Sequence, residues 1–120
     1  MKITLTSFGR KYGIVDADIV LDVRCLENPF WVAELKEKSG LEPEVQGYIF
    51  SNPDSRRYLQ LLSDLLKLQV KLAITRSRKQ LHIAIGCTGG RHRSVAVTEF
   101  LAKELKDHDI SVIHRDIKRG

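Results

Sequence analysis

The residues of this chain best suited to chemistry stand together in Gly86-Cys87-Thr88-Gly89-Gly90-Arg91-His92-Arg93-Ser94. An apolar run, Leu81 to Ile85, precedes this stretch, and a helical pattern from Val95 to Leu105 follows it. A strand, a Gly-rich turn and a helix start in that order make an anion site. Glycines let backbone N–H groups turn inward, and the helix adds unpaired N–H groups and its positive dipole end. Arg91, His92 and Arg93 add cationic or titratable side chains, and Arg can grip a phosphate through two parallel hydrogen bonds. The expected phosphate cradle comprises Cys87, Thr88, Gly89, Gly90, Arg91, His92, Arg93 and Ser94, with Lys11 reaching in from an earlier loop. The plainer alternative is a tight turn carrying solvated basic residues. No Gly-Lys-Ser/Thr closes the loop, so it is not a Walker A motif and ATP-type binding is not indicated.

Cys87 and Arg93 also satisfy the Cys-x5-Arg spacing of cysteine phosphatases. In such an enzyme a thiolate, stabilised by ringed N–H groups and a helix N-terminus, attacks phosphorus while the Arg holds the equatorial oxygens. Gly86 stands where those enzymes usually carry His, and no general-acid Asp is identifiable from the sequence. The same loop can bind phosphate without chemistry, with Cys87 as a small buried filler. The non-catalytic reading is preferred, and the phosphatase is its alternative.

These residues need a sheet and helices to hold them. Ile3 to Phe8 reads as a first strand, broken by Gly9-Arg10-Lys11-Tyr12-Gly13. Asp18 to Arg24 reads as a second, and its apolar middle, Ile19 to Leu21, predicts burial on both faces. Asp22 and Arg24 fall at its carboxyl end, where open α/β sheets bind ligands, although a structural ion pair explains them equally well. Asn28-Pro29-Phe30-Trp31 is a turn with two aromatics, suited to packing at an edge or to stacking on a ligand. A short helix is expected to begin near Pro43. Asn52-Pro53 signals a further helix start, with Asn as N-cap and Pro at the first helical position. Along that long helix Tyr58, Leu61, Leu62, Leu65, Leu68 and Leu72 predict the core stripe, while Leu66 and Val70 lie off it and suggest a second, oligomeric face. Arg76, Arg78 and Lys79 form a basic turn, and Gln80 to Gly86 a third strand containing His82. After the cradle, Val97, Phe100, Leu101 and Leu105 predict a helix ending near His108, and Ile110 to Ile113 a last strand. The expected fold is α/β: a small, mostly parallel sheet of about four strands flanked by helices.

The totals are compatible with this outline. A chain of 120 residues with 42% hydrophobic content suits one compact domain over 1–120, with no amino-terminal P-loop nucleotide-binding domain. No apolar run approaches the roughly 20 residues needed to cross a bilayer. Two cysteines make no disulfide framework, and a cytoplasmic protein is expected. The net charge of +5 favours an anionic partner, RNA or a phosphorylated metabolite. The four histidines show no metal-ligand spacing, so neither a metal nor a cofactor is expected. His114-Arg115-Asp116 matches a kinase catalytic-loop triplet, here by chance in so short a chain.

Ala84-Ile85-Gly86-Cys87-Thr88-Gly89-Gly90-Arg91-His92-Arg93-Ser94-Val95 resembles the signature of the carboxyl-terminal domain of the RapZ family of RNase adaptor proteins. Ser7 to Ile14, Asp16-Ala17-Asp18, Asp22-Val23-Arg24, Asn28-Pro29, Ser39-Gly40-Leu41 and His114-Arg115-Asp116 extend the likeness in the same order across nearly the whole chain. The resemblance implies a non-catalytic sensor of an amino-sugar phosphate, glucosamine-6-phosphate, which also binds a small regulatory RNA and presents it to an endoribonuclease. It places the sugar-phosphate contacts at Thr88, Gly89, Gly90, His92 and Arg93 with Lys11 nearby; Asp22, Arg24 and Asn28 are separate candidates for a supporting role. RNA contacts would fall on Arg115, Lys118 and Arg119. A homodimer or larger assembly is expected. Phe30 stands where the family often has His after Asn-Pro, and the tail is shorter and less basic than in RNA-binding members.

Overall fold

We describe residues 1–119 from a computed structural model. Four strands form one parallel sheet: β1 (Lys2–Gly9), β2 (Ile19–Asp22), β3 (Gln80–Cys87) and β4 (Asp109–His114), in the spatial order β2-β3-β1-β4. Three helices connect and cover it: α1 (Pro43–Ile49), α2 (Pro53–Thr75) and α3 (Arg93–Glu104). The β2-to-β3 and β3-to-β4 connections run the same way across the sheet. Right-handed crossovers therefore put all three helices on one face.

The core shows that one-sided arrangement. Ile3 and Leu5 of β1 share a face with Leu81, Ile83, Ile85 and Cys87 of β3, and all six pack in one cluster with the buried residues of α2 and α3. The central strands β1 and β3 are buried almost throughout. Strand β2 is not. It sits at the sheet edge with alternate residues exposed, and Val20 is 44% accessible. Its apolar run predicted burial on both faces, but an edge strand on a sheet with one covered face has less to pack against.

Helix α2 begins as its sequence signals. Pro53 occupies its first turn and the Asn52 side chain accepts from the Ser55 N–H at 2.8 Å, a cap that stabilises a helix by about 1 kcal/mol. Its buried face differs from the expected stripe. Leu59, Leu62, Leu66 and Val70 enter the core, whereas Leu61, Leu65, Leu68 and Leu72 point outward. Both sets recur at helical spacing, so periodicity could not choose between them. Packing against the sheet did.

Two polar ties lock the layers. Ser7 Oγ lies 2.7 Å from His114 Nδ1, and His114 Nε2 lies 2.9 Å from Glu99 Oε2, joining β1, β4 and α3. The order imitates a catalytic triad, but Ser7 is wholly buried and no substrate could reach it. Asp116, also wholly buried, accepts from the Gly9 N–H at 2.8 Å and pairs with Arg115 and Arg119. This fastens the chain after β4 to the end of β1.

Candidate phosphate-binding site

The carboxyl ends of β1 and β3 lie side by side, with Gly9 opposite Cys87. The chain leaving β3 must pass close over the end of β1, which explains Gly90. Its φ is +77°, and a Cβ there would stand 2.5 Å from Gly9 N and 2.9 Å from Asp116 Cβ. Only glycine tolerates both the left-handed backbone and the approach. Gly9 is the reciprocal case, since a Cβ on it would stand 2.5 Å from the Gly89 carbonyl group.

This crossing delivers the chain to α3. His92 occupies the N-cap position without a side-chain capping hydrogen bond, in contrast to Asn52 on α2. The first N–H groups of a helix have no partner within it, so this end is electropositive. It opens beside a cavity of about 300 Å³ lined by Cys87, Thr88, Gly89, Arg91, the N-cap His92 and Arg93, the first residue of α3. Five cationic side chains reach the cavity wall (Lys11, Lys36, Arg91, Arg93 and Arg119) against one carboxylate, that of Glu37.

Each group is positioned by a neighbour. Arg93 is nearly buried, and its Nη1 donates to the Arg24 carbonyl at 2.8 Å and the Leu26 carbonyl at 3.3 Å. Its Nη2 donates to Thr88 Oγ1 at 3.5 Å, while its buried Nε has no partner. Arg91 is anchored through Nη2 to the Glu37 carbonyl, and its Nε is also buried and unpartnered. A buried donor without an acceptor carries a desolvation cost that an anion would relieve. His92 Nε2 lies 3.1 Å from the Lys36 carbonyl. Burial, with the charges of Arg91 and Arg93, holds this imidazole below its usual pKa despite the carbonyls of Lys38 and Lys36. It is therefore neutral near pH 7 in the unliganded site.

The thiol of Cys87 is 2% accessible and donates to Ser94 Oγ at 3.1 Å, while Sγ accepts from the Gly90 N–H at 3.2 Å. Ser94 is wholly buried. Gly90 and Ser94 thus support the loop from behind. Their amide and hydroxyl are engaged with Cys87, and neither lines the cavity.

Of the other sequence candidates, Lys11 and Asn28 line the cavity, and Lys11 is tied to the loop by its N–H to the Thr88 carbonyl. Asn28 turns its side chain to the Phe30 N–H at 3.2 Å. Asp22 and Arg24 are off the cavity wall and pair with each other at 2.6 Å on the surface. The Arg24 guanidinium, by hydrogen bonding, brings the Asp22 carboxyl down to about 2. The backbone carbonyl of Arg24, rather than its charge, serves the site. In the tail, Arg115 binds Asp116 and the carbonyls of Tyr12 and Gly13, whereas Arg119 lines the cavity and Lys118 is exposed outside it.

Sequence reasoning did not assign Tyr12, Lys36 or Glu37 to the site, although all three line the cavity, and it left ligand stacking as one of two readings for Phe30 and Trp31, which line it too. Phe30 and Trp31 meet edge to face with centroids 5.0 Å apart, and Lys36 Nζ lies 4.7 Å from the Phe30 ring centre. Trp31 is 78% accessible, an unusual exposure for the chain's single tryptophan. Adjacent aromatics in a turn were the available signal. Among the described residues, no three His, Cys, Asp or Glu side chains gather as a metal site, and no helix is long and apolar enough to cross a membrane.

A family model described as the RapZ C-terminal domain matches residues 1–118. Curated relatives include a nucleotide-binding protein of Bacillus thuringiensis (strain Al Hakam) and another of Bacillus mycoides (strain KBAB4). Each is 42% identical over 120 residues, covering 98% of this chain and 41% of the relative. The chain thus spans about two fifths of the length of these relatives. With the match running through every element that builds the cavity, the chain belongs to the RapZ C-terminal domain family.

Proposed function

We propose that this domain is a non-catalytic receptor for a phosphorylated amino sugar, glucosamine-6-phosphate, and acts in the cytoplasm. The observation that carries the reading is the uncapped start of α3 facing a cavity where five cations meet one carboxylate. A phosphate dianion would take the N–H groups at the helix start and the unpartnered Nε donors of Arg91 and Arg93. The sugar ring would lie against Trp31 and Phe30, and Glu37 would receive the ammonium group. The relatives' name, nucleotide-binding protein, is compatible with a phosphate-bearing ligand, and a base could stack on the same two rings. The near-complete burial of Cys87, and its thiol donating to Ser94, favour binding over phosphoryl transfer.

Calorimetry with glucosamine-6-phosphate, glucose-6-phosphate, a nucleoside diphosphate and inorganic phosphate tests this, with Trp31 fluorescence as an independent readout. The amino sugar phosphate should bind tightest, and Arg93→Ala with His92→Ala should abolish binding while circular dichroism shows a retained fold. Unchanged affinity in that variant overturns the reading. A small regulatory RNA, with the endoribonuclease that would act on it, has narrower support. Of the three tail cations only Lys118 and Arg119 are exposed, so RNA would contact the rim of the same cavity, with affinity falling steeply as salt rises.

A further inference from the structure

The long helix α2 carries two apolar faces, and the fold uses one. Leu61, Leu65, Leu68 and Leu72 remain 55%, 51%, 52% and 55% accessible, although each is a large apolar side chain. Their spacing is four, three and four residues, the alternation of the a and d positions in a coiled coil. The stripe runs about 16 Å along the helix axis, and none of the four lines the phosphate cavity. A solvated helix face has no reason to keep that register. A second helix laid along it does.

We propose that this face of α2 is a self-recognition seam, pairing antiparallel with α2 of a second copy of this chain. The charges on its flank select the occupant and its direction. Asp64 and Lys71 precede Leu65 and Leu72 by one residue each, so both lie on the same side of the stripe. In an antiparallel pair with Leu65 beside Leu68 of the other copy and Leu61 beside Leu72, Asp64 of each copy faces Lys71 of the other. The two-fold axis makes this contact twice. Both side chains are exposed. A parallel pair would instead set Lys71 against Arg76, two like charges. The face is thus self-complementary in shape and charge only when antiparallel.

The experiment is analytical ultracentrifugation of the 120-residue chain over a concentration series, with and without the seam. The parent should sediment at twice its monomer mass. Leu65→Glu with Leu68→Glu should weaken association at least about tenfold, since each buries a carboxylate in the seam. Thermal unfolding of that variant should remain cooperative, because both positions are solvent-facing in the single chain. Lys71→Asp alone should weaken the dimer, and Asp64→Lys with Lys71→Asp should restore it. In a Cys25→Ser background, Leu61→Cys with Leu72→Cys should cross-link between copies on mild oxidation. A monomer at every concentration, a dimer indifferent to the two Glu substitutions, or cross-linking by Leu72→Cys alone, which antiparallel helices would hold about 16 Å apart along the axis and only parallel ones bring together, would each overturn the proposal.

Discussion

Gly89 and Gly90 are neighbours with opposite demands, and replacing each by Ala tests how the site is built. At Gly90 the methyl group must adopt φ near +77°, a left-handed backbone that costs a non-glycine residue about 1–2 kcal/mol. It also meets Gly9 N at 2.5 Å and Asp116 Cβ at 2.9 Å, both held by their own bonds. Relieving that overlap means parting the Gly9 N–H from Asp116 Oδ2, a hydrogen bond to a charged group worth about 1.5–3 kcal/mol. Gly90→Ala should therefore destabilise the domain by about 3–5 kcal/mol, a large share of a usual total of about 5–15 kcal/mol. At Gly89 a Cβ would meet nothing within 4 Å, so Gly89→Ala should change stability by less than about 1 kcal/mol. Any affinity it loses for sugar phosphate then reports the cavity rather than unfolding. Urea denaturation followed by far-UV circular dichroism measures both. A loss below about 1 kcal/mol in Gly90→Ala would refute the claim that backbone crossing at this point constrains the loop.

The remaining predictions concern protonation, the buried acid and chemistry. Because burial lowers the His92 pKa in the folded chain, its contribution to stability is present above about pH 6.5 and is lost as pH falls through the folded value. His92→Gln should flatten that part of the pH–stability curve, and an unchanged slope would count against it. Burial disfavours the charged form of Asp116, yet hydrogen bonds from Arg115 and the Gly9 N–H outweigh it and hold the pKa below the usual value. Its stabilisation is thus present above about pH 3.8 and lost on further acidification. Asp116→Asn should cost about 2 kcal/mol near pH 7, less than for a fully buried pair because Arg119 is half-exposed, and denaturant midpoints check it. Parent and Cys87→Ser should show the same negligible hydrolysis of an aryl phosphate, and Cys87-dependent turnover would reverse the non-catalytic reading.

Local chemistry in the chain was enough to determine the order of strands and helices. It also determined the Asn52 cap and the strand, turn and helix that follow Gln80, although α3 stops at Glu104 rather than near His108, because caps, turns and apolar periods act between residues close in sequence. Three matters were decided only in the tertiary structure. Two leucine stripes of equal period compete on α2, and the sheet, meeting one side of the helix, selected Leu62, Leu66 and Val70 for the core. The apolar run of β2 became an edge strand because strand order is a property of the whole sheet. The cavity joins Lys36 and Glu37 to Arg91 and Arg119, residues far apart in the chain with no shared motif. Sequence spacing specifies which faces can be buried, and only the packing of remote segments specifies which ones are and what then lies beside them.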